Sequence, residues 1–297
     1  MKIMAIYVEL IIIICSLIAS SNCCPGNLTT TTFNEGFMKL GGNVSVSGNR
    51  NSVNTSLLNN TGASGFASQV SYTEGLFSAY IKLPSQNYTA GIVVTFYLSN
   101  NLHEHDEIDF EFLGHAHTGE WILQTNFYGN GSSGQGREER YKLWFDPGKE
   151  AHKYSIFWTE NKILYYIDEL PIRSVQKVDV TGVVYPSKPM TLYATIWDGS
   201  DWATDGGRSK ANFTYEPFVV EYSDFVLNGC WIDPSRNFSV CGSDYSTGCG
   251  NMTSRQLKAY TEFRKKYLTY SYCLDKNRYN NTTLPECDVL PGSGMLQ

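Results

Sequence analysis

The chain has 297 residues, of which 42% are apolar, 14% aromatic and 18% charged, with a formal net charge of −6. That supports a sizeable core and excludes disorder, coiled coil and collagen, because the charged fraction falls below the roughly 25% of an average soluble protein while apolar content stays high. The acidic balance leaves no electrostatic footprint for a polyanion, which excludes nucleic acid as the main partner and favours an uncharged ligand.

The first element in chain order is a leader. Lys2 precedes an apolar run from 4 to 19 that ends in Ala19, Ser20 and Ser21, so residues 1–22 read as a signal peptide cleaved between Ser21 and Cys24. The run is short for the ~20 residues of a membrane span and contains Glu9, so no membrane partner is expected after cleavage. Asn-x-Ser/Thr sequons begin at Asn27, Asn43, Asn54, Asn59, Asn87, Asn130, Asn212, Asn237, Asn251, Asn280 and Asn281, which favours the secretory route.

From Phe33 to Phe225 short alternating segments recur, at 76–83, 91–98, 107–113, 121–128, 141–145, 154–158, 163–167 and 190–197. They are rich in Val, Ile, Tyr, Phe and Thr and are separated by Gly, Asn, Pro, Asp or Ser clusters. The pattern predicts an all-β fold, an antiparallel β-sandwich or jelly roll over residues 23–228. The stretch from Gly42 to Asn60 is dense in Asn and Ser and carries no comparable signal.

After Asn228 the character changes to an extension, 229–297. Leu257, Tyr260, Phe263 and Tyr267 recur at helical spacing and predict an amphipathic helix, with Ser254, Arg255, Lys258, Glu262, Arg264 and Lys265 forming a solvated polar face. Cys230, Cys241, Cys249, Cys273 and Cys287 all fall here, whereas Cys15 belongs to the leader and Cys23 and Cys24 to its cleavage point. Such clustering predicts a disulfide-stapled extension with one cysteine left over, and the lack of a Cys-x-x-Cys argues against zinc.

The segment His105-Asp-Glu-Ile-Asp-Phe-Glu-Phe-Leu113 carries the chemistry. Period-two alternation sends Ile108, Phe110 and Phe112 to the core, and Glu107, Asp109 and Glu111 to the open face of the sheet. Three like-charged, poor strand formers side by side cost stability, so catalysis outweighs an ordinary surface strand. A calcium site would need more ligands than three strand residues supply. Two carboxylates flanking a bond are what glycoside hydrolysis requires, one as proton donor and one as nucleophile or base. The Cα atoms of Glu107 and Glu111 would lie about 13 Å apart on a regular strand, and side chains leaning together could close that to the retaining range, while spacing alone leaves the wider inverting arrangement open. On the next strand Gln124, Asn126 and Tyr128 share a face and offer amides and a ring to a sugar.

His-Asp-Glu-Ile-Asp-Phe-Glu-Phe-Leu-Gly at 105–114 resembles the signature of the plant xyloglucan endotransglucosylase/hydrolases, a branch of glycoside hydrolase family 16. The likeness continues through Ile81-Lys-Leu-Pro84, Leu123-Gln-Thr-Asn126, Leu143-Trp-Phe-Asp-Pro147, Thr195-Ile-Trp-Asp198 and Thr269-Tyr-Ser-Tyr-Cys273. The resemblance implies a jelly roll with a concave substrate cleft, and a retaining mechanism with Glu107 as nucleophile, Glu111 as general acid/base and Asp109 as helper. It further implies sugar-binding roles for Gln124, Thr125, Asn126, Gly136, Arg137, Glu138, Asp201, Trp202, Gly206 and Arg278, and disulfides Cys230–Cys241 and Cys273–Cys287. Donor and acceptor would be xyloglucan or its oligosaccharides, handled outside the cell in the wall or apoplast by a monomer without cofactor or metal.

Two departures stand out. The family often carries a glycosylated Asn just after the catalytic strand, where this chain has His115-Ala-His117, and Asn130 is the substitute candidate. His103, His105, His115 and His117 invite a metal reading, yet His105 belongs to the family signature and the other three fall in loop segments. The interval 127–136 is short for the hydrolytic branch, which favours transfer over hydrolysis, and retention of all three acids argues against a non-catalytic carbohydrate-binding jelly roll.

Overall fold

The computed structural model describes residues 28–132, 134–179, 184–233, 235, 238–242, 250–279 and 284–288. The expected leader, Cys23, Cys24, Cys249 and the sequons at Asn27, Asn237, Asn280 and Asn281 lie outside the described residues.

Among the described residues the strands are β1 (Phe37–Gly41), β2 (Asn43–Val46), β3 (Ser52–Leu57), β4 (Ser64–Lys82), β5 (Ile92–Ser99), β6 (Glu107–Gly114), β7 (Trp121–Tyr128), β8 (Glu139–Lys142), β9 (His152–Trp158), β10 (Lys162–Ile167), β11 (Leu170–Gln176), β12 (Met190–Asp198), β13 (Phe218–Asp233), β14 (Phe238–Cys241) and β15 (Leu268–Ser271). One layer runs β1-β4-β12-β5-β6-β7-β8-β15 and the other β11-β10-β9-β4-β13-β3-β2. The 19-residue β4 joins them: Ser64–Ala67 pairs with β12, and Leu76–Ile81 pairs with β9 and β13. All the pairings are antiparallel, and the result is a jelly-roll β-sandwich.

The core explains why β6 is a strand despite its acids. Phe110 meets Tyr154 and Tyr165 edge-on at 5.7 and 5.3 Å, and Phe112 meets Tyr154 at 4.7 Å, so alternate β6 side chains are locked against β9 and β10. Burial of Ile108, Phe110 and Phe112 contributes on the order of 2 kcal/mol each, which offsets the poor strand propensity of the acids between them.

Sequence and structure part at three places. β2 and β3 fall in the Asn/Ser-rich stretch without a strand signal; there Val53, Thr55 and Leu57 alternate inward and pairing to β13 supplies what propensity does not. The strand expected at 141–145 runs instead from Glu139 to Lys142, because the chain then leaves the sheet to place Trp144 on Phe263 at 5.5 Å and Phe145 on the His152 ring at 3.5 Å. The expected boundary at 228/229 falls inside β13, which continues to Asp233 and pairs with β14.

The extension adds β15 to the free edge of β8 and lays helix α2 (Ser254–Tyr267) against β11; short helices α1 (Phe33–Gly36) and α3 (Pro285–Asp288) lie near the two ends of the described chain. Thr253 and Gln256 form a capping box at the α2 N-terminus, and Arg264, Lys265 and Lys266 complement the dipole at its end. Tyr260 and Phe263 are buried as expected, but Leu257 is 41% exposed and Arg264, read as solvated, is buried. A buried carboxylate on β8 draws that arginine in, and helical spacing carries no sign of such a partner.

Cys230–Cys241 ties a cross-strand pair of β13 and β14, and Cys273–Cys287 closes a 14-residue separation that holds α3 against the body. Replacing both Cys273 and Cys287 by Ser is expected to lower stability by about 3 kcal/mol in urea unfolding, since that loop entropy returns to the unfolded chain. An unchanged midpoint would show that the bridge does not constrain that chain.

Candidate active site

β6 is hydrogen-bonded on both sides, to β5 and β7, so its side chains are held at fixed heights and spacings. Register places Glu107 between Ser99 and Tyr128, Asp109 between Tyr97 and Asn126, and Glu111 between Thr95 and Gln124. The three acids share one face. That face is less open than alternation implies: Glu107 and Glu111 are partly exposed, whereas Asp109 is only 4% exposed, sunk between the taller tyrosine and amide groups beside it.

Each acid is perturbed for an identifiable reason. Burial pushes Glu107 up to about 7, and a hydrogen bond from Ser99 pulls the other way. Burial also pushes Glu111 up to about 7; the charges of Glu107 and Glu138 add to the rise, while the Gln124 hydrogen bond and Arg140 oppose it. Asp109 is driven well above the carboxylate range by burial and then by both glutamates, against weaker opposition from Arg173 and Asn126. Three crowded acids therefore hold protons to unusually high pH, which is what a proton donor at neutral pH requires. His105 Nε2 stands 4.0 Å from Glu107 Oε1 and its ring meets Tyr128 edge-on at 5.6 Å.

The neighbouring strands build the surrounding wall. Gln124 Nε2 donates to Glu111 Oε2 at 2.5 Å, and Asn126 Oδ1 accepts the Arg137 backbone N–H at 2.8 Å. Glu138 forms a two-pronged pair with Arg278 at 2.7 and 3.0 Å, which brings the extension to the rim of the acids. Gly136 packs so tightly here that a Cβ would meet Glu138 Oε1 at 2.2 Å and Arg278 Nη2 at 2.8 Å. On the other flank Tyr97 and Tyr193 stack at 5.2 Å on adjacent strands.

Two of the residues expected to bind sugar, Thr125 and Arg137, point elsewhere. Thr125 is fully buried on the opposite face, where its carbonyl and hydroxyl accept from Arg173 at 2.8 and 2.9 Å. Arg137 is also buried: its Nε donates to Glu286 at 2.8 Å and its guanidinium lies over the Phe127 ring, so it pins α3 to the sheet. Asp201 is fully exposed and 3.2 Å from Lys210, Trp202 is 36% exposed with its ring 6.0 Å from that of Trp197, and Gly206 adopts a φ of +65° in an open turn. Asn130 is exposed, with a φ of 49° and its backbone N–H on Asp106 Oδ1. Among the described residues no group of three potential ligands is placed to hold a metal.

Sequence reasoning missed Arg140, Tyr97, Tyr193, Ser99 and Arg173. Strand alternation could have put Tyr97 and Ser99 on one face of β5, but only inter-strand register shows that this face joins the acids.

The family model for glycosyl hydrolases family 16 matches residues 33–215, and the model for the xyloglucan endo-transglycosylase (XET) C-terminus matches residues 241–287. "Probable xyloglucan endotransglucosylase/hydrolase protein 27" of Arabidopsis thaliana is 48% identical over 273 residues, covering 89% of this chain and 81% of that one. "Probable xyloglucan endotransglucosylase/hydrolase protein 30" of the same plant is 46% identical, covering 95% and 84%. The chain belongs to the xyloglucan endotransglucosylase/hydrolase family. The fold likeness reaches further: Bacillus licheniformis beta-glucanase superposes with a TM-score of 0.53 at 23% identity, over 68% of this chain and 97% of that one. The segment matched by the C-terminus model supplies β15, α2 and Arg278. As a member of the family the protein is a glycosidase or transglycosylase, with Glu107, Asp109 and Glu111 as its candidate machinery.

Proposed function

We propose that the protein is secreted to the plant cell wall, cleaves the β-1,4-glucan backbone of xyloglucan with retention, and transfers the cleaved chain to a second xyloglucan end. The observation that carries this reading is the line of three desolvated carboxylates on one face of β6, with a donor amide on Glu111 and a hydroxyl on Glu107.

In the first step a Glu107 carboxylate oxygen attacks the anomeric carbon while Glu111 gives its proton to the departing glycosidic oxygen; the C–O bond to the leaving chain breaks and a glycosyl ester on Glu107 forms. In the second, the Glu111 carboxylate takes the proton of an incoming sugar hydroxyl, whose oxygen displaces Glu107. Desolvation suits Glu111 to the first role, since it lets the acid retain its proton to a higher pH than an exposed carboxyl would. Asp109, buried between the two glutamates on β6 and pushed toward its neutral form by burial and by their charges, is the helper residue. Acceptor binding beside Tyr128 and Trp202 gives its hydroxyl a large effective molarity over water.

Added xyloglucan oligosaccharide is expected to speed the loss of polymer size while few new reducing ends appear, and labelled oligosaccharide is expected to enter the polymer. Reducing ends rising in step with every cut, with no label incorporated, would identify a hydrolase instead.

A further inference from the structure

We propose that Arg140 is a positioning residue for the general acid/base: by engaging the Gln124 carbonyl it commits that amide's N–H to Glu111. The inference rests on the reading of Glu111 as the acid/base, and it gives Arg140, which borders the acids, a specific task.

Arg140 Nε donates to Gln124 Oε1 at 2.7 Å, and Gln124 Nε2 donates to Glu111 Oε2 at 2.5 Å. An amide has two unlike ends, and free rotation would let a glutamine present either its oxygen or its N–H group to a neighbouring acid. A guanidinium has donors only, so an arginine on one side of the amide fixes which end faces the other. Glu111, Gln124 and Arg140 occupy one cross-strand line through β6, β7 and β8, so the relay is built from register. Among the described residues the only side-chain hydrogen bond of Arg140 is to Gln124.

The extension holds the far end. Tyr270 of β15 continues the cross-strand line, with the Arg140 guanidinium 5.6 Å from its ring centre, and Thr269 Oγ1 donates to the Arg140 carbonyl at 3.1 Å. Glu111 is faced by Glu107 and Asp109 on its own strand, by Gln124 from β7, by Thr95 from β5, and by Glu138 and Arg140 from the β8 side. Arg278 neutralises Glu138, so Arg140 is the cation directed at Glu111 through the amide. Both the amide hydrogen bond and the charge of Arg140 act to lower the Glu111 pKa, in line with the geometry.

The test is a ¹³C-carboxyl NMR titration of Glu111, assigned with Glu111→Gln, in the wild type and in Arg140→Met, Arg140→Lys, Gln124→Met and the Arg140→Met/Gln124→Met pair. Arg140→Met is expected to move the Glu111 midpoint upward by about half a unit or more, and to move the alkaline limb of kcat/KM the same way with KM little changed. Arg140→Lys keeps a donor cation and should restore most of the shift, and the double variant should shift by clearly less than the sum of the singles. An unmoved Glu111 midpoint in natively folded Arg140→Met, full additivity, or a rise in KM alone would overturn the proposal. The titration reads Glu111 without turnover, so a failure of the transglycosylase reading leaves its outcome intact.

Discussion

Glu107→Gln is expected to abolish turnover, by at least about 10⁴-fold in kcat/KM, while the circular dichroism spectrum stays native. The amide keeps the shape of the carboxylate and can still face Ser99 and Tyr128, but it has no charged oxygen to form the glycosyl ester. The same substitution should raise thermal stability near neutral pH, and the sign follows from linkage. Glu107 has its pKa raised to about 7 from 4.5, so the folded chain holds a proton that the unfolded chain releases between those values. Its ionisation therefore costs stability progressively as pH climbs from about 4.5 to 7. Removing the charge also relieves Asp109 and Glu111, both of which it pushes upward. Loss of activity with a raised melting temperature is what a strained catalytic acid predicts. Near-normal activity with a native spectrum would remove Glu107 from the nucleophile's role.

Arg264→Met is expected to destabilise the protein by about 3–5 kcal/mol, because it strips the main cation from a buried carboxylate. Glu139, 1% exposed, accepts from Arg264 at 2.5 and 2.7 Å, from Tyr141 at 2.5 Å and from Ser271 at 2.9 Å, with Arg173 at 3.6 Å. The hub joins α2, β15, β8 and β11, so it fastens the extension to the sheet that carries the acids. Although burial alone would raise the Glu139 pKa, the arginines and hydroxyls together hold it down to about 2. A depressed folded pKa contributes stability that is present above the unfolded value of about 4.5 and is lost as pH falls toward 2. The gap between wild type and Arg264→Met in guanidinium unfolding should therefore be widest above pH 5 and narrow below it. Pairing the change with Glu139→Gln should recover part of the loss, since the uncompensated charge is gone. A cost under about 1 kcal/mol at pH 7, or a gap insensitive to acid, would show that the hub is not what holds the extension.

Much of this protein is legible in its sequence where a short-range period carries the information. Alternation along 105–114 put Ile108, Phe110 and Phe112 inside and the three acids on one face, and strand spacing placed Gln124, Asn126 and Tyr128 together, because a β-strand has a side-chain period of two whatever surrounds it. The helix at 254–267 followed from its apolar spacing for the same local reason. What the sequence could not determine is whatever depends on which strand lies beside which. Thr125 and Arg137 lie in the right motifs but turn to Arg173 and Glu286, partners 48 and 149 residues away. Arg264 looked like one more solvated cation until Glu139, 125 residues distant, made its burial affordable. Arg140 carries no motif, and only the register of β6, β7 and β8 sets it in line with Glu111. Local periodicity chooses the face a side chain occupies; tertiary register and the pairing of buried charges decide what that side chain meets there.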